Sequence, residues 1–282
     1  MRNVQQKVQH VIQPALVHLV LLTYTVIALF PVLLVMVNSF KSKRGIFNDP
    51  LAFPSAKTFS LVGYQKVLEE SAVTTFFANS LIVTVCALVL ILLFGAMAAW
   101  ALSEYRFRGS RLLYLFIGFG IMVPIRLGTV SILHTMVALN LTNTLTSLVL
   151  VYTAQGLPLA VFILAEFMAQ IPKDLKEAAR CDSVGEFKIF FQIILPLIRP
   201  AIATVAVFSM IPIWNDLWFP LILAPGEQTQ TITLGVQQFI GQYTTNWNAV
   251  LSSLSLAVLP VVGLYFIFSK QLIRGITSGA VK

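Results

Sequence analysis

The sequence predicts an all-α, polytopic membrane protein with six transmembrane helices and one cytoplasmic helix-turn-helix. Three observations predict it. The chain is 57% hydrophobic and only 11% charged, against about 25% charged in an average soluble domain, and its mean hydropathy is +0.86. Apolar windows stand near 16–37, 76–102, 112–138, 144–168, 200–223 and 251–269; about 20 such residues carry a helix across roughly 30 Å of hydrocarbon. One long charged stretch, PKDLKEAARCDSVGEFKIFFQIILPLIRP at 172–200, interrupts them.

The 1–15 segment precedes the first span, 16–37. That span reads as a retained anchor: its apolar run exceeds the roughly 7–15 residues of a signal-peptide core, and no small-x-small cleavage site precedes NSFKSKRG. Residues 38–75 form an extracytoplasmic loop. The continuous apolar runs lack two-residue alternation, which excludes a closed barrel. Six spans put both ends on one side. If that side is the cytoplasm it collects thirteen Lys and Arg, against five in the 38–75 loop, with Arg126 inside a span. This bias orients the chain: both termini, the 169–199 loop and the 270–282 tail face the cytoplasm, and 76–269 is the membrane core. It also accounts for the net charge of +8 without a nucleic-acid partner. Cys86 and Cys181 offer neither a disulfide framework nor zinc-ligand spacing.

In the third span Arg126 follows Pro124, about twelve residues, or roughly 18 Å, from either end. That is too far for comfortable snorkelling, so the side chain belongs either to a structural ion pair or to a substrate path. In the fourth, Gln155, Gly156 and Pro158 predict a discontinuous helix whose freed backbone groups line a cavity. In the fifth, Pro212 predicts a kink, followed by Asn215 and Asp216 between Trp214 and Trp218. Hydrogen-bonding groups beside aromatic faces suit a sugar; they equally suit an interfacial aromatic belt. Asp216 is the candidate partner of Arg126. The polar, nearly uncharged segment 224–250 either helps receive substrate or is a plain solvated loop.

The charged stretch reads as two short helices. Pro172 suits a first helical position, and Asp174 the positive end of the dipole. Lys173, Lys176, Glu177 and Arg180 share one face of the first piece, and Leu175, Ala178 and Ala179 the other. In the second, Ser183 and Glu186 fit a capping box. Phe187, Phe190, Phe191 and Ile194 form one helical stripe, and Pro196 ends it. A surface-lying hairpin would flank its apolar face with basic residues. Here acids and bases alternate, which favours docking to a protein.

At these residues a family resemblance enters. EAARCDSVGEFKIFFQIILP resembles the EAA loop of permease subunits of binding-protein-dependent ABC importers: Glu-Ala-Ala, three residues, Gly, nine residues, Ile-x-Leu-Pro. Glu177, Ala178 and Ala179 open it and Ile193, Leu195 and Pro196 close it, but Ser183 stands at the family's glycine, with Gly185 two places on. FFANSLIVT, WNDLWFPLIL and QLIRGITSGAVK resemble the carbohydrate, maltose-type branch. The resemblance implies a transport subunit rather than an enzyme, coupled to ATPase subunits through Glu177, Ala178, Ala179, Asp182, Ser183, Gly185, Phe187, Phe190, Phe191, Ile193, Leu195 and Pro196. It implies a second homologous permease subunit, two ATPase subunits that hold ATP and Mg, and an extracytoplasmic sugar-binding protein. No cofactor belongs to this chain, and the cargo is a carbohydrate. Arg126, Gln155, Trp214, Asn215, Asp216 and Trp218 are the candidate substrate path.

The absent motifs agree with that division of labour. No GxxxxGK[ST], HExxH or GxSxG occurs, and His10, His18 and His134 are scattered. Energy then comes from another chain, or the protein is passive. The rival readings are a polyol or glycerol-phosphate cargo, and a passive channel or ion-coupled carrier. An intramembrane enzyme would need a nucleophile or metal constellation, and none is recognisable.

Overall fold

A computed structural model describes residues 2–69, 72–240 and 245–280, with side chains for 15–69, 72–240, 245–263 and 266. Residues 70–71 of the predicted outer loop, 241–244 of the 224–250 segment, and the first residue and last two residues of the predicted termini lie outside the described residues. The helices are α1 (Arg2–Ser39), α2 (Lys43–Asn48), α3 (Val62–Glu69), α4 (Val73–Glu104), α5 (Ser110–Met122), α6 (Thr129–Ala138), α7 (Leu145–Ala169) and α8 (Lys173–Cys181). They continue as α9 (Glu186–Leu197), α10 (Arg199–Asn215), α11 (Trp218–Leu223), α12 (Ile232–Val236) and α13 (Trp247–Ala280). Among the described residues there is no strand, only the isolated bridges Lys41–Phe59 and Ile240–Thr245.

The chain divides into two compact units. One holds residues 1–71 and 236–256, the other 72–235 and 257–282, so α13 contributes to both. In the first unit the apolar part of α1, Ala15–Ser39, is long enough to cross a membrane, and its most apolar window is wholly unburied. The hydroxyls of Thr23 and Thr25 donate to the carbonyls of Leu19 and Leu21, 2.8 Å each, which spares them bare exposure to an apolar medium. Past α1, the buried Lys41 ammonium donates to Asn38 Oδ1 (3.0 Å) and the carbonyls of Asp49 (2.9 Å) and Pro50 (3.4 Å). Burial pulls its pKa below the ordinary lysine value, partly opposed by Asp49. A β-carbon on Gly63 would lie 2.4 Å from the Asn248 carbonyl oxygen, so only glycine admits α3 this close to α13.

The second unit is built on α4 against α7. Gly95 faces Ala160, where an added β-carbon would stand 2.7 Å from the alanine methyl, and Gly156 receives Ile91. The core adds Ile189, Phe190 and Ile194 of α9, Val205 of α10 and Phe219 of α11. α4 and α7 each satisfy the length and apolarity of a span.

Three expectations are corrected at prolines. The predicted third span is not one helix: α5 stops at Met122, Val123 and Pro124 are extended, and the path turns 87° through the 3₁₀ turn Ile125–Gly128 into α6. Proline pushes its predecessor out of the helical region, and Val123 is extended accordingly. α7, by contrast, runs unbroken through Pro158, whose ring seats against Gly120. At Pro212, where a kink is expected, α10 stays helical and ends only at Asn215, with Asp216 extended. α9 runs through Pro196, because the preceding turn widens to π-helical geometry over Ile189–Ile194, moving away the carbonyls a proline ring would strike. Its break falls at Ile198, with a 75° bend into α10. Helix α13 continues through the predicted tail without interruption at 270.

Candidate functional site

The hairpin of α8 and α9 turns on Ser183, whose φ is +59°. The Ser183 amide donates to the Arg180 carbonyl (2.9 Å) and the Val184 amide to that of Ala179 (3.0 Å). This pair of bonds is a Schellman motif, with Ser183 at the left-handed position that glycine ordinarily fills. The expected capping box is therefore corrected. Gly185 starts α9, and no side chain caps it.

The predicted faces of α8 are also corrected. Lys176 points inward and its ammonium pairs with the Glu104 carboxylate; their side chains are 8% and 10% exposed. Arg180 reaches Glu104 Oε1 and Glu186 Oε1, 2.7 Å each, and the Tyr105 hydroxyl donates to Glu186 Oε2 at 2.8 Å. Lys176 also sits 5.5 Å from the centre of the Trp100 ring, within cation–π range. The bonds to Glu186 and Glu104 raise the Arg180 pKa above its ordinary value. Burial and then the Glu186 contact push up that of Tyr105. Glu177, Ala178 and Leu175 face outward, and Ala179 inward. The expected aromatic stripe is split: Phe190 and Ile194 are buried, while Phe187 is 76% exposed and Phe191 is also exposed. The widened turn shifts the register of the stripe. Asp182, Ser183 and Gly185 are exposed at the tip, and Ile193, Leu195 and Pro196 are partly buried at its base.

The second cluster surrounds the break between α5 and α6. Arg126 Nη2 lies 3.3 Å from Asp216 Oδ1, with side chains 66% and 8% exposed. Asp216 Oδ2 accepts from the Tyr152 hydroxyl (2.9 Å) and the Phe219 amide (3.1 Å). Its carboxylate is thus filled by donors from α7, the start of α11 and the turn before α6. Trp218 is exposed, and its indole donates to Thr129 Oγ1 at 3.0 Å. Thr129 in turn donates to the Arg126 carbonyl. Gln155 and Asn215 are exposed; Gln155 edges a cavity of about 100 Å³ with Tyr152, Ser209 and Pro212. Trp214 is corrected: it is buried, its indole donates to the Ala257 carbonyl at 3.0 Å, and Phe77 meets it edge-on. It has no open face for a ligand.

Residues 91–278 match the family described as binding-protein-dependent transport system inner membrane component. The chain belongs to this family. The permease is 32% identical over 95% of its length to the diacetylchitobiose uptake system permease protein of Streptomyces coelicolor, covering 89% of that protein. It is 30% identical to the melibiose/raffinose/stachyose import permease protein of Bacillus subtilis, over 89% of this chain and 91% of the relative. A chain of a bacterial ABC transporter involved in the import of the acidic polysaccharide alginate shares its fold, with a TM-score of 0.79 at 21% identity, covering 93% of the permease and 96% of that chain.

Three groups of functional side chains in the permease escape sequence reasoning. Glu104 and Tyr105 close the hairpin from the end of α4, and nothing near them in sequence marks them. Asn79 and Ser80, inside the FFANSLIVT stretch, hold the segment before α12: Asn79 donates to the Gln228 and Gln230 carbonyls (2.8 and 2.9 Å), and Ser80 Oγ accepts the Ile232 amide (2.8 Å). Asn143, at φ +57°, accepts from the Gly226 amide and the Thr229 hydroxyl. The segment 224–235 is therefore a pinned structure rather than a plain solvated loop. The asparagine itself was the signal available in the sequence, since asparagine is enriched in left-handed turns.

Proposed function

We propose that this chain is one of two membrane-spanning subunits of an ATP-driven importer that moves a carbohydrate inward by alternating access. Its six spans leave both termini and the α8–α9 hairpin in the cytoplasm. Two ATPase subunits, which bind ATP and Mg, dock on that hairpin. A second, homologous permease completes the path, and an extracytoplasmic sugar-binding protein delivers the cargo. The bilayer is the remaining partner, and no cofactor is assigned to this chain.

The observation that carries the coupling role is the form of the hairpin. Its outward rim, with Glu177, Ala178, Asp182, Phe187 and Phe191, mixes acids with large apolar rings and stands on a base clamped by the buried Lys176–Glu104 pair and the half-buried Arg180–Glu104 pair. Exposed aromatics on a rigid element are the usual anchors of a protein interface. A motor that closes on ATP moves such an element as a body and tilts the helices behind it. The carbohydrate reading rests on the family and on relatives whose names state saccharide transport. The exposed Trp218, whose indole meets Thr129, offers such a cargo a stacking face, and the exposed Arg126 and Gln155 offer hydrogen-bond donors.

The test is to co-express the permease with its partner subunits and purify the assembly in lipid nanodiscs. ATP hydrolysis is then measured with the binding protein and a panel of saccharides, polyols and glycerol phosphates. Saccharide-stimulated hydrolysis is expected, and Glu177→Lys should lose co-purification of the motor while inserting normally. Response to polyols or glycerol phosphates alone replaces the cargo. Uptake by this chain without an ATPase overturns the reading in favour of a passive or ion-coupled carrier.

A further inference from the structure

We infer that Glu104 is a positioning residue for energy coupling, an ion clamp that hands hairpin motion to α4 rather than along the chain into α10. This inference rests on the proposed importer function and names an element that function does not require.

The covalent route out of the hairpin is mechanically poor. Between α9 and α10 the chain bends by 75° at Ile198, and a broken helix joint absorbs rotation instead of passing it on. The through-space route is stiff. Glu104 is the last residue of a 32-residue helix, and its two carboxylate oxygens take Lys176 and Arg180, one turn apart on α8. Arg180 goes on to Glu186 at the start of α9, and Tyr105 holds the same Glu186 from the α4 side. Both arms of the hairpin are therefore tied to one helix end.

The Lys176–Glu104 pair is almost wholly buried. Removing one partner of such a pair leaves the other charge uncompensated, so the clamp resists sliding. From there α4 is locked to α7 by the Gly95–Ala160 and Ile91–Gly156 contacts. Tyr152 of α7 bonds Asp216, which holds Arg126. A continuous packed path thus joins the hairpin to the polar break.

The experiment uses the full complex in nanodiscs and compares Glu104→Gln, Glu104→Asp, Lys176→Gln and the Glu104→Gln/Lys176→Gln double variant. Motor co-purification, basal ATP hydrolysis and cargo transported per ATP are read together. Glu104→Gln should keep the motor bound and basal hydrolysis running while transport per ATP falls roughly tenfold, within the range for coupling residues. Glu104→Asp should restore part of it, and the double variant should lose no more than either single one, as expected for groups in one network. Unchanged transport per ATP in Glu104→Gln, or strictly additive losses in the double variant, overturns the inference while leaving the importer reading intact. If Glu104→Gln fails to assemble, Lys176→Gln carries the same test from the hairpin side. Failure of the unmodified complex to couple hydrolysis to cargo would instead sink the proposed function.

Discussion

Replacing Asp216 separates two roles that its geometry combines. As the partner of Arg126 it forms an ion pair whose basic side chain is 66% exposed; such pairs are worth at most about 1 kcal/mol when water screens them. As an acceptor it satisfies the hydroxyl of the buried Tyr152 and the amide of the buried Phe219. Leaving a buried donor unmet costs about 1–3 kcal/mol each. Asp216→Ala should therefore destabilise the fold by about 4 kcal/mol, most of it from the two orphaned donors. Asp216→Asn keeps one acceptor oxygen and should cost about half as much, on the same scale. Tyr152→Phe and Arg126→Gln should each cost about 1 kcal/mol. The assay is the thermal unfolding midpoint of the purified complex at one fixed protein and detergent concentration. A shift of about 2–4 °C per kcal/mol for a domain of this size puts Asp216→Ala roughly 10 °C below the unmodified protein. Should Arg126→Gln lower the midpoint as far as Asp216→Ala, the ion pair and not the acceptor role would be what holds this cluster, and the reasoning fails.

Two further outcomes test the local geometry. Ser183→Gly should raise the unfolding midpoint slightly, because a left-handed residue costs about 1–2 kcal/mol and glycine returns only part of that as chain entropy. Ser183→Val should lower it and reduce motor binding; equal behaviour of the two would mean that the turn carries no strain. Gly95→Ala should cost about 1–3 kcal/mol by overpacking, since the new methyl would stand 2.7 Å from that of Ala160 and neither can rotate away. A neutral result in the same melt would show that α4 and α7 are not in tight register.

Much of the site was legible in one dimension. Membrane spans follow from the length of apolar runs, a property of neighbours in sequence. The spacing of Glu-Ala-Ala to Ile-x-Leu-Pro marked the hairpin, and the isolated Arg126 and Asp216 marked the polar cluster, though not the break in the chain beside it. The faces of the hairpin were misread for a definite reason. By composition Lys176 belongs in water, and its inward turn depends on Glu104, 72 residues earlier. The aromatic stripe was misread because a π turn shifts the register that a 3.6-residue period assumes. Trp214 was misread because its indole hydrogen-bonds the backbone of residue 257, which no local pattern announces.

The prolines divide the two kinds of information most clearly. By itself the sequence determined how many residues are apolar enough to leave water, where charge interrupts them, and which positions lack a backbone donor. Pro124, Pro158, Pro196 and Pro212 look alike on that account. Only the tertiary structure decided that the chain bends at the first and stays helical at the other three. A missing hydrogen bond weakens a helix everywhere, but packing from distant residues and a widened turn determine whether the helix yields.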